Sequence, residues 1–208
     1  MSQVQVIQIP TGKWRENCYI IFNAAEEALI IDPGSDFEII EKSIIDHNLH
    51  PLAVLNTHGH YDHIGSVAAV VKRYSIPFYL HGHDQKLLNQ ANLYKLLFDS
   101  RIKIEIPKID HQFASIDDNV EIHPFLFRVI QTPGHTAGSV CILLGDKFFS
   151  GDTLLPNGPG RTDLPGGNKI KLQESLLKLR KLPTNLTVYP GHGSPFNLGW
   201  FWNEFDAK

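Results

Sequence analysis

Apolar and polar positions alternate in short blocks along this chain, and the block lengths set the elements. VQVIQI (4–9), CYIIF (18–22) and ALIID (28–32) are β-rich runs, and the turn Asp32-Pro33-Gly34 closes the third. Residues 36–48, DFEIIEKSIIDHN, space their apolar positions three and four apart and predict an amphipathic helix. LAVLNT (52–57) is apolar at nearly every position, the pattern of a strand covered on both faces. SVAAVVKRY (66–74) predicts a helix and PFYL (77–80) the next strand. The stretch 83–118 is mixed, with a helical patch around LLNQANLYKLL and a loop-like segment containing Pro107.

The second half begins with strands. FLFRVIQT (125–132), SVCILL (139–144) and KFFS (147–150) precede a helix at IKLQESLLKLRKL (170–182) and a strand at LTVYP (186–190). LGWFWNEF (198–205) is a short C-terminal element, and its WFW suits either a core or an interface. Strands alternate with helices first and cluster later. This order predicts an α/β (α+β) chain with two mixed half-sheets rather than one doubly wound sheet.

Composition narrows the class. The 208 residues are 42% hydrophobic and 20% charged, ordinary for a globular chain and enough for one domain, expected to span 1–208. A net charge of −3 without runs of one sign gives no reason to expect nucleic acid or a membrane surface as partner. No apolar run approaches the roughly 20 residues of a membrane span. The N-terminus lacks a signal-peptide pattern, so a cytoplasmic protein is expected. Cys18 and Cys141 each sit in an apolar run and read as reduced, buried strand residues.

The chemistry concentrates in NTHGHYDHIG (56–65), directly after LAVL. His58 and His60 are two residues apart, which helical spacing would splay, so a tight loop must gather them with Asp62 and His63. A metal is the economical reason to crowd imidazoles and a carboxylate. Downstream, His135 in PGHT (133–136), Asp152 in SGDT (150–153) and His192 in PGHG (190–193) each follow a strand and a glycine. A second His-rich run, HGHD (81–84), lacks a histidine after its aspartate. It reads as a decoy, with Asp84 as a helix-start residue. His47, His50, His111 and His123 have no such context and read as surface residues.

In this order, THGHYDH, PGHT, SGDT and PGHG resemble the metallo-β-lactamase superfamily. The resemblance implies a four-layer αββα sandwich with metals at one edge of the sheets. It implies a first metal on His58, His60 and His135, a second on Asp62, His63 and His192, and Asp152 between the two. Asp62 is also expected to serve catalysis. Zinc is the metal expected, with iron or manganese also suited to a His- and Asp-rich set. A metal-bridging hydroxide, formed because bound water can have a pKa near ~7, would be the nucleophile. Asp32, in IIDPG, is expected to hydrogen-bond a ligand histidine and fix its orientation.

GPGRTDLPGG (158–167) resembles the glyoxalase II-like branch in its compact form, since only sixteen residues follow His192. That implies a small-molecule thioester substrate such as hydroxyacylglutathione. Arg161 reads either as a substrate-binding cation or as the partner of Asp163 in a stiffened loop. The same GRTD core resembles persulfide dioxygenases, which would use one iron on His58, His135 and Asp152. Lactone hydrolysis is a third reading, and β-lactam hydrolysis a weaker one given the N-terminus.

Overall fold

The computed structural model describes residues 4–207. In its first half, β1 (Gln5–Thr11), β2 (Glu16–Phe22) and β3 (Glu27–Ile31) are followed by helix α1 (Phe37–Asp46) and strand β4 (His50–Leu55). A one-turn helix α2 (Tyr61–Ile64), α3 (Val67–Tyr74), β5 (Phe78–His81), α4 (Gln85–Asn89), α5 (Ala91–Phe98) and β6 (His111–Phe113) complete it. These strands form one sheet in the order β1-β2-β3-β4-β5-β6. The β1–β2 and β2–β3 pairs are antiparallel, and the rest are parallel.

The second half supplies β7 (Asp118–Ile122), β8 (Phe125–Gln131), β9 (Val140–Leu144), β10 (Lys147–Gly151), a small hairpin of β11 (Leu154–Leu155) and β12 (Gly158–Pro159), α6 (Lys169–Leu179), β13 (Thr187–Pro190), β14 (Phe196–Asn197) and α7 (Leu198–Asp206). Its main sheet runs β14-β13-β10-β9-β8-β7, with β10 and β13 parallel. The two mixed half-sheets are as the pattern predicts. The hairpin and β14 are too short to leave a periodic signal.

Alternation along the strands sorts side chains into three apolar layers, as the two-residue repeat of a strand requires. Tyr19, Ile21, Leu29, Ile31 and Leu55 meet Phe127, Val129, Ile142 and Phe149 between the sheets. The opposite faces of the same strands carry Ile20, Ile30 and Val54, which pack on Ile40 and Ile44 of α1 and on Val67 and Val70 of α3. Beyond the second sheet, Cys141, Phe148 and Val188 pack on Leu172, Leu176 and Leu179 of α6 and on Phe201 and Trp202 of α7. The layers are therefore helix, sheet, sheet, helix. In the WFW run Phe201 and Trp202 are core residues, while Trp200 stays exposed. Cys18 and Cys141 are buried and unbridged, in opposite outer layers.

Chain direction places the site. β3, β4 and β5 run parallel and end at one edge of the first sheet. β8, β10 and β13 share a direction and end at the same edge of the second, where Val140 N–H donates to the Thr57 carbonyl across the sandwich at 2.9 Å.

Candidate metal centre

Five strand ends deliver the predicted residues. Asp32 follows β3, His58 and His60 follow β4, His135 follows β8, Asp152 follows β10 and His192 follows β13. Asp62 and His63 ride on α2. Among the described residues, three groups of donors converge: His58, His60 and His135; Asp62, His63 and His192; and Asp32 with His58 and His63. The first two are the sets the sequence motifs pointed to.

Asp152 lies between them. Its oxygens are 3.5 Å from His135 Nε2, 3.6 Å from His63 Nε2 and 3.6 Å from His192 Nε2. His192 Nε2 is also 3.5 Å from Asp62 Oδ2. Two ligands at about 2.1 Å from one tetrahedral ion stand about 3.4 Å apart, so these separations suit shared coordination. Gly191 makes the approach feasible: a Cβ there would stand 2.2 Å from Asp152 Oδ1.

Hydrogen bonds behind the rings decide which nitrogen faces inward. His63 Nδ1 lies 3.0 Å from Asp32 Oδ2, and a carboxylate only accepts, so Nδ1 carries the proton and Nε2 presents a lone pair. Carbonyl oxygens act likewise on His135 Nδ1 (Arg161, 2.8 Å) and on His192 Nδ1 (Trp14, 3.1 Å). Thr57 Oγ1 donates to Asp32 at 2.6 Å and so accepts from His58 Nδ1 at 3.0 Å. Asp32 also accepts from Thr57 N–H at 2.7 Å. Its oxygens are thus engaged behind the rings, the arrangement anticipated for it, and the third donor group is this supporting network. Asp32 holds a left-handed backbone, φ 48°, which aspartate tolerates better than most residues.

The inward atoms have no such partners. His58 Nε2, His63 Nε2 and Asp152 Oδ1 are buried without a hydrogen bond. His60 Nδ1 and His135 Nε2 face each other at 2.9 Å, where a proton or a cation must relieve the contact between their lone pairs. Buried polar atoms left unpaired are costly, and a cation bound by imidazole and carboxylate removes that cost. The residues fit a metal centre.

Charge follows the same logic. Burial drives the His58 imidazole far below its ordinary range, with His63 and His60 adding to the effect. Burial, aided by His135, pushes His60 down to about 3. Burial opposes ionisation of Asp62, yet His63, His192 and His60 outweigh it and hold the carboxyl below the usual range. Asp152 is lowered the same way by His63, His192 and His135. His63 is pushed up despite burial, because Asp152, Asp62 and Asp32 surround it.

Several supporting residues escaped the sequence analysis. Asp84 of HGHD is one: it stands at the start of α4, as expected, but its side chain makes no capping bond there. Instead Oδ2 accepts from Gly59 N–H (2.9 Å) and Thr136 Oγ1 (2.7 Å), and Oδ1 from Gly138 N–H (2.7 Å). It ties the His58–His60 loop to the loop that follows His135. His81 and His83 join no donor group among the described residues; His81 Nδ1 simply accepts from His83 N–H. His47, His50, His111 and His123 are exposed, as expected.

Glu16 and Asn17 begin β2 and reach the site from below. Asn17 clamps the His192 loop through the Pro190 and Gly193 carbonyls. Glu16 is buried beside His63, 3.8 Å away, and burial drives its carboxyl well above the usual range. Gly34 must be glycine for this, since a Cβ would stand 1.9 Å from Glu16 Oε2. The signal was present: two polar residues open a strand that is otherwise apolar.

The donors form the floor of a cleft of about 460 Å³. Trp14, Tyr61, Leu87, Tyr94, Phe98 and Leu155 are among its walls, and Arg161 stands at its side. Arg161 forks onto Asp163 with bonds of 2.7 and 2.6 Å.

Known proteins place this arrangement. Residues 11–192 match the Metallo-beta-lactamase superfamily. The chain is 37% identical over 189 residues to "Probable metallo-hydrolase YqgX" of Bacillus subtilis, covering 89% of each. It is 29% identical over 199 residues to "Hydroxyacylglutathione hydrolase GloC" of Haemophilus influenzae, covering 92% of each. Among solved structures, the BLEG-1 B3 metallo-beta-lactamase superposes with a TM-score of 0.87 at 38% identity over 94% of this chain and 95% of that one. TTHA1623, solved in a di-iron-bound form, gives 0.83 at 34% identity over 93% and 95%. No helix among the described residues is long and apolar enough to cross a membrane. Converging histidines and aspartates, a helix-sheet-sheet-helix layering and a match over most of the sequence agree, and the chain belongs to the metallo-beta-lactamase superfamily of metal-dependent hydrolases.

Proposed function

We propose that this chain is a binuclear metallohydrolase acting on thioesters. The carrying observation is the pair of donor groups with Asp152 between them at the floor of an apolar cleft. His58, His60 and His135 would hold one ion, and Asp62, His63 and His192 the other, with Asp152 common to both. The sulfur-free donor set suits zinc, iron or manganese. Bound there, such ions lower the pKa of water to about 7 and polarise a carbonyl.

The chain's own groups supply the rest. Asp62 lies at the cleft floor, kept ionised by its histidine neighbours, where it holds the attacking water and takes its proton. Asp32, Thr57 and the carbonyls of Arg161 and Trp14 fix the ring tautomers, so the imidazoles need no reorientation. Apolar walls exclude bulk water. Water oxygen bonds to the acyl carbon, the C–S bond breaks, and Asp62 returns its proton to the departing sulfur, so that a thiol leaves and the carboxylic acid loses its remaining proton to solvent.

The likeness to GloC makes S-lactoylglutathione the first substrate to assay. The likeness to BLEG-1 favours a β-lactam as the second, because both reactions are acyl hydrolysis. Metal content of protein purified without added metal, measured with turnover of both substrates, tests the proposal. About two ions per chain with thioester turnover is expected. One iron per chain, no thioester turnover and oxygen uptake with glutathione persulfide would move the protein to the mononuclear dioxygenase reading.

A further inference from the structure

We infer that the cleft selects its thioester by an apolar, uncharged acyl arm lying against α5, and not by a glutathione arm; this rests on the thioester reading above. Tyr94 and Phe98, four residues apart on α5, turn into the cleft beside Leu87 of α4. Leu155, Leu164 and Pro165 face them. The apolar surface does not stop at the mouth. Leu93, Leu96 and Leu97 share the neighbouring face of α5 and are 50%, 55% and 63% exposed, and Phe98 itself is 47% exposed. A contiguous apolar patch joined to a reactive floor has the form of a binding surface for an apolar substrate group.

Charge points the same way. Glutathione carries two carboxylates and one ammonium. The cleft floor presents Asp62 and Asp152, and among the described residues that line the cleft Arg161 is the one lysine or arginine. Asp163 already matches its charge through two bonds. Lys95, close by on α5, is bound to Asp99 at 2.7 Å. An acyl chain needs none of these, and each methylene it buries is worth about fourfold in affinity.

The test uses zinc-loaded full-length protein and thioesters of N-acetylcysteamine, a neutral thiol. The kcat/KM for octanoyl over acetyl should rise at least about tenfold, since only part of the chain need be buried. Lactoylglutathione should exceed lactoyl-N-acetylcysteamine by less than about threefold, the room left by an already matched cation. Phe98→Ala should shrink the octanoyl-to-acetyl ratio, chiefly through KM; its half-exposed ring makes the truncation tolerable to the fold. A flat chain-length series, or a tenfold preference for the glutathione ester, overturns the inference while leaving the thioesterase reading intact. Binding of two non-hydrolysable thioethers by calorimetry separates the two failures. If no thioester is turned over but S-octyl-N-acetylcysteamine binds at least tenfold more tightly than S-methylglutathione, the reaction assignment falls and the apolar selectivity stands. The reverse order of binding removes the selectivity as well.

Discussion

Two histidine-rich loops leave adjacent parallel strands of the first sheet, and they do opposite things. HGHYDH follows β4 and turns its histidines inward, where His58, His60 and His63 present unpartnered nitrogens beside carboxylates. HGHD begins at the last residue of β5; His81 Nε2 is buried without a partner too, but among the described residues no donor group forms on it, and His83 packs on the His81 ring and faces solvent. What distinguishes them is the set of groups behind the rings. The first loop has Asp32, Thr57 and two carbonyls fixing its tautomers and those of its partners, and the second has no counterpart among the described residues. A cluster of imidazoles becomes a metal site when a second layer aims it. The second loop nonetheless serves the first, because Asp84 holds the Gly59 and Gly138 amides.

The comparison breaks most severely at Asp152, which lies between two of the donor groups. Asp152→Ala removes a buried carboxylate that three histidine nitrogens face. Metal stoichiometry should fall from about two to one or none, and kcat/KM by at least about 10³-fold, the scale of losing a group that acts on the transition state. Full metal content measured by mass spectrometry in this variant would refute Asp152 as a shared ligand.

Next comes the stitch between the two loops. Asp84→Ala leaves three donors, Gly59 N–H, Gly138 N–H and Thr136 O–H, without their acceptor. Zinc affinity should drop about 10–100-fold in a competition with a chelating dye, as for other residues that orient ligands through their neighbours. An unchanged affinity with a lowered Tm would reduce Asp84 to a structural tie. pH sharpens the same contrast. The surrounding carboxylates push the proton affinity of His63 up, and that proton must leave before a cation can bind. Metal affinity should therefore rise with pH until His63 is deprotonated and then level off, with proton release visible as buffer-dependent heat. Arg161→Ala should act more weakly, raising KM for an acidic thioester by less than about threefold, because an exposed and already matched ion pair contributes little.

Much of this was legible in the sequence, for a physical reason. Each ligand loop begins where an apolar strand run meets glycine and a polar residue, so HGHYDH, PGHT, SGDT and PGHG mark the strand ends directly. Alternation likewise separates Tyr19 and Ile21 from Cys18 and Ile20 into two layers. Asp84 was not legible in this way. Two of its three partners are backbone amides 25 and 54 residues away, and an amide has no sequence identity. The apolar outer face of α5 was hidden too. LLNQANLYKLL has ordinary helical spacing, but the helix breaks at Gln90, and the new helix turns Leu93 and Leu97 to solvent.

The smallest effect is the most discriminating. His83 is exposed, and in HGHD it occupies the place that His60 has in HGHYDH. If composition alone made a metal site, His83→Ala would strip metal as His60→Ala should. The geometry gives His83 one role near the site: its backbone N–H donates to His81 Nδ1, and alanine keeps that amide. The substitution should leave metal stoichiometry and kcat/KM within twofold of the parent, and stability within about 0.5 kcal/mol, as for an exposed side chain that only packs on the His81 ring. Metal lost from this variant would mean that the second loop belongs to the centre, and that Asp84 reaches the ligands as part of it rather than from outside.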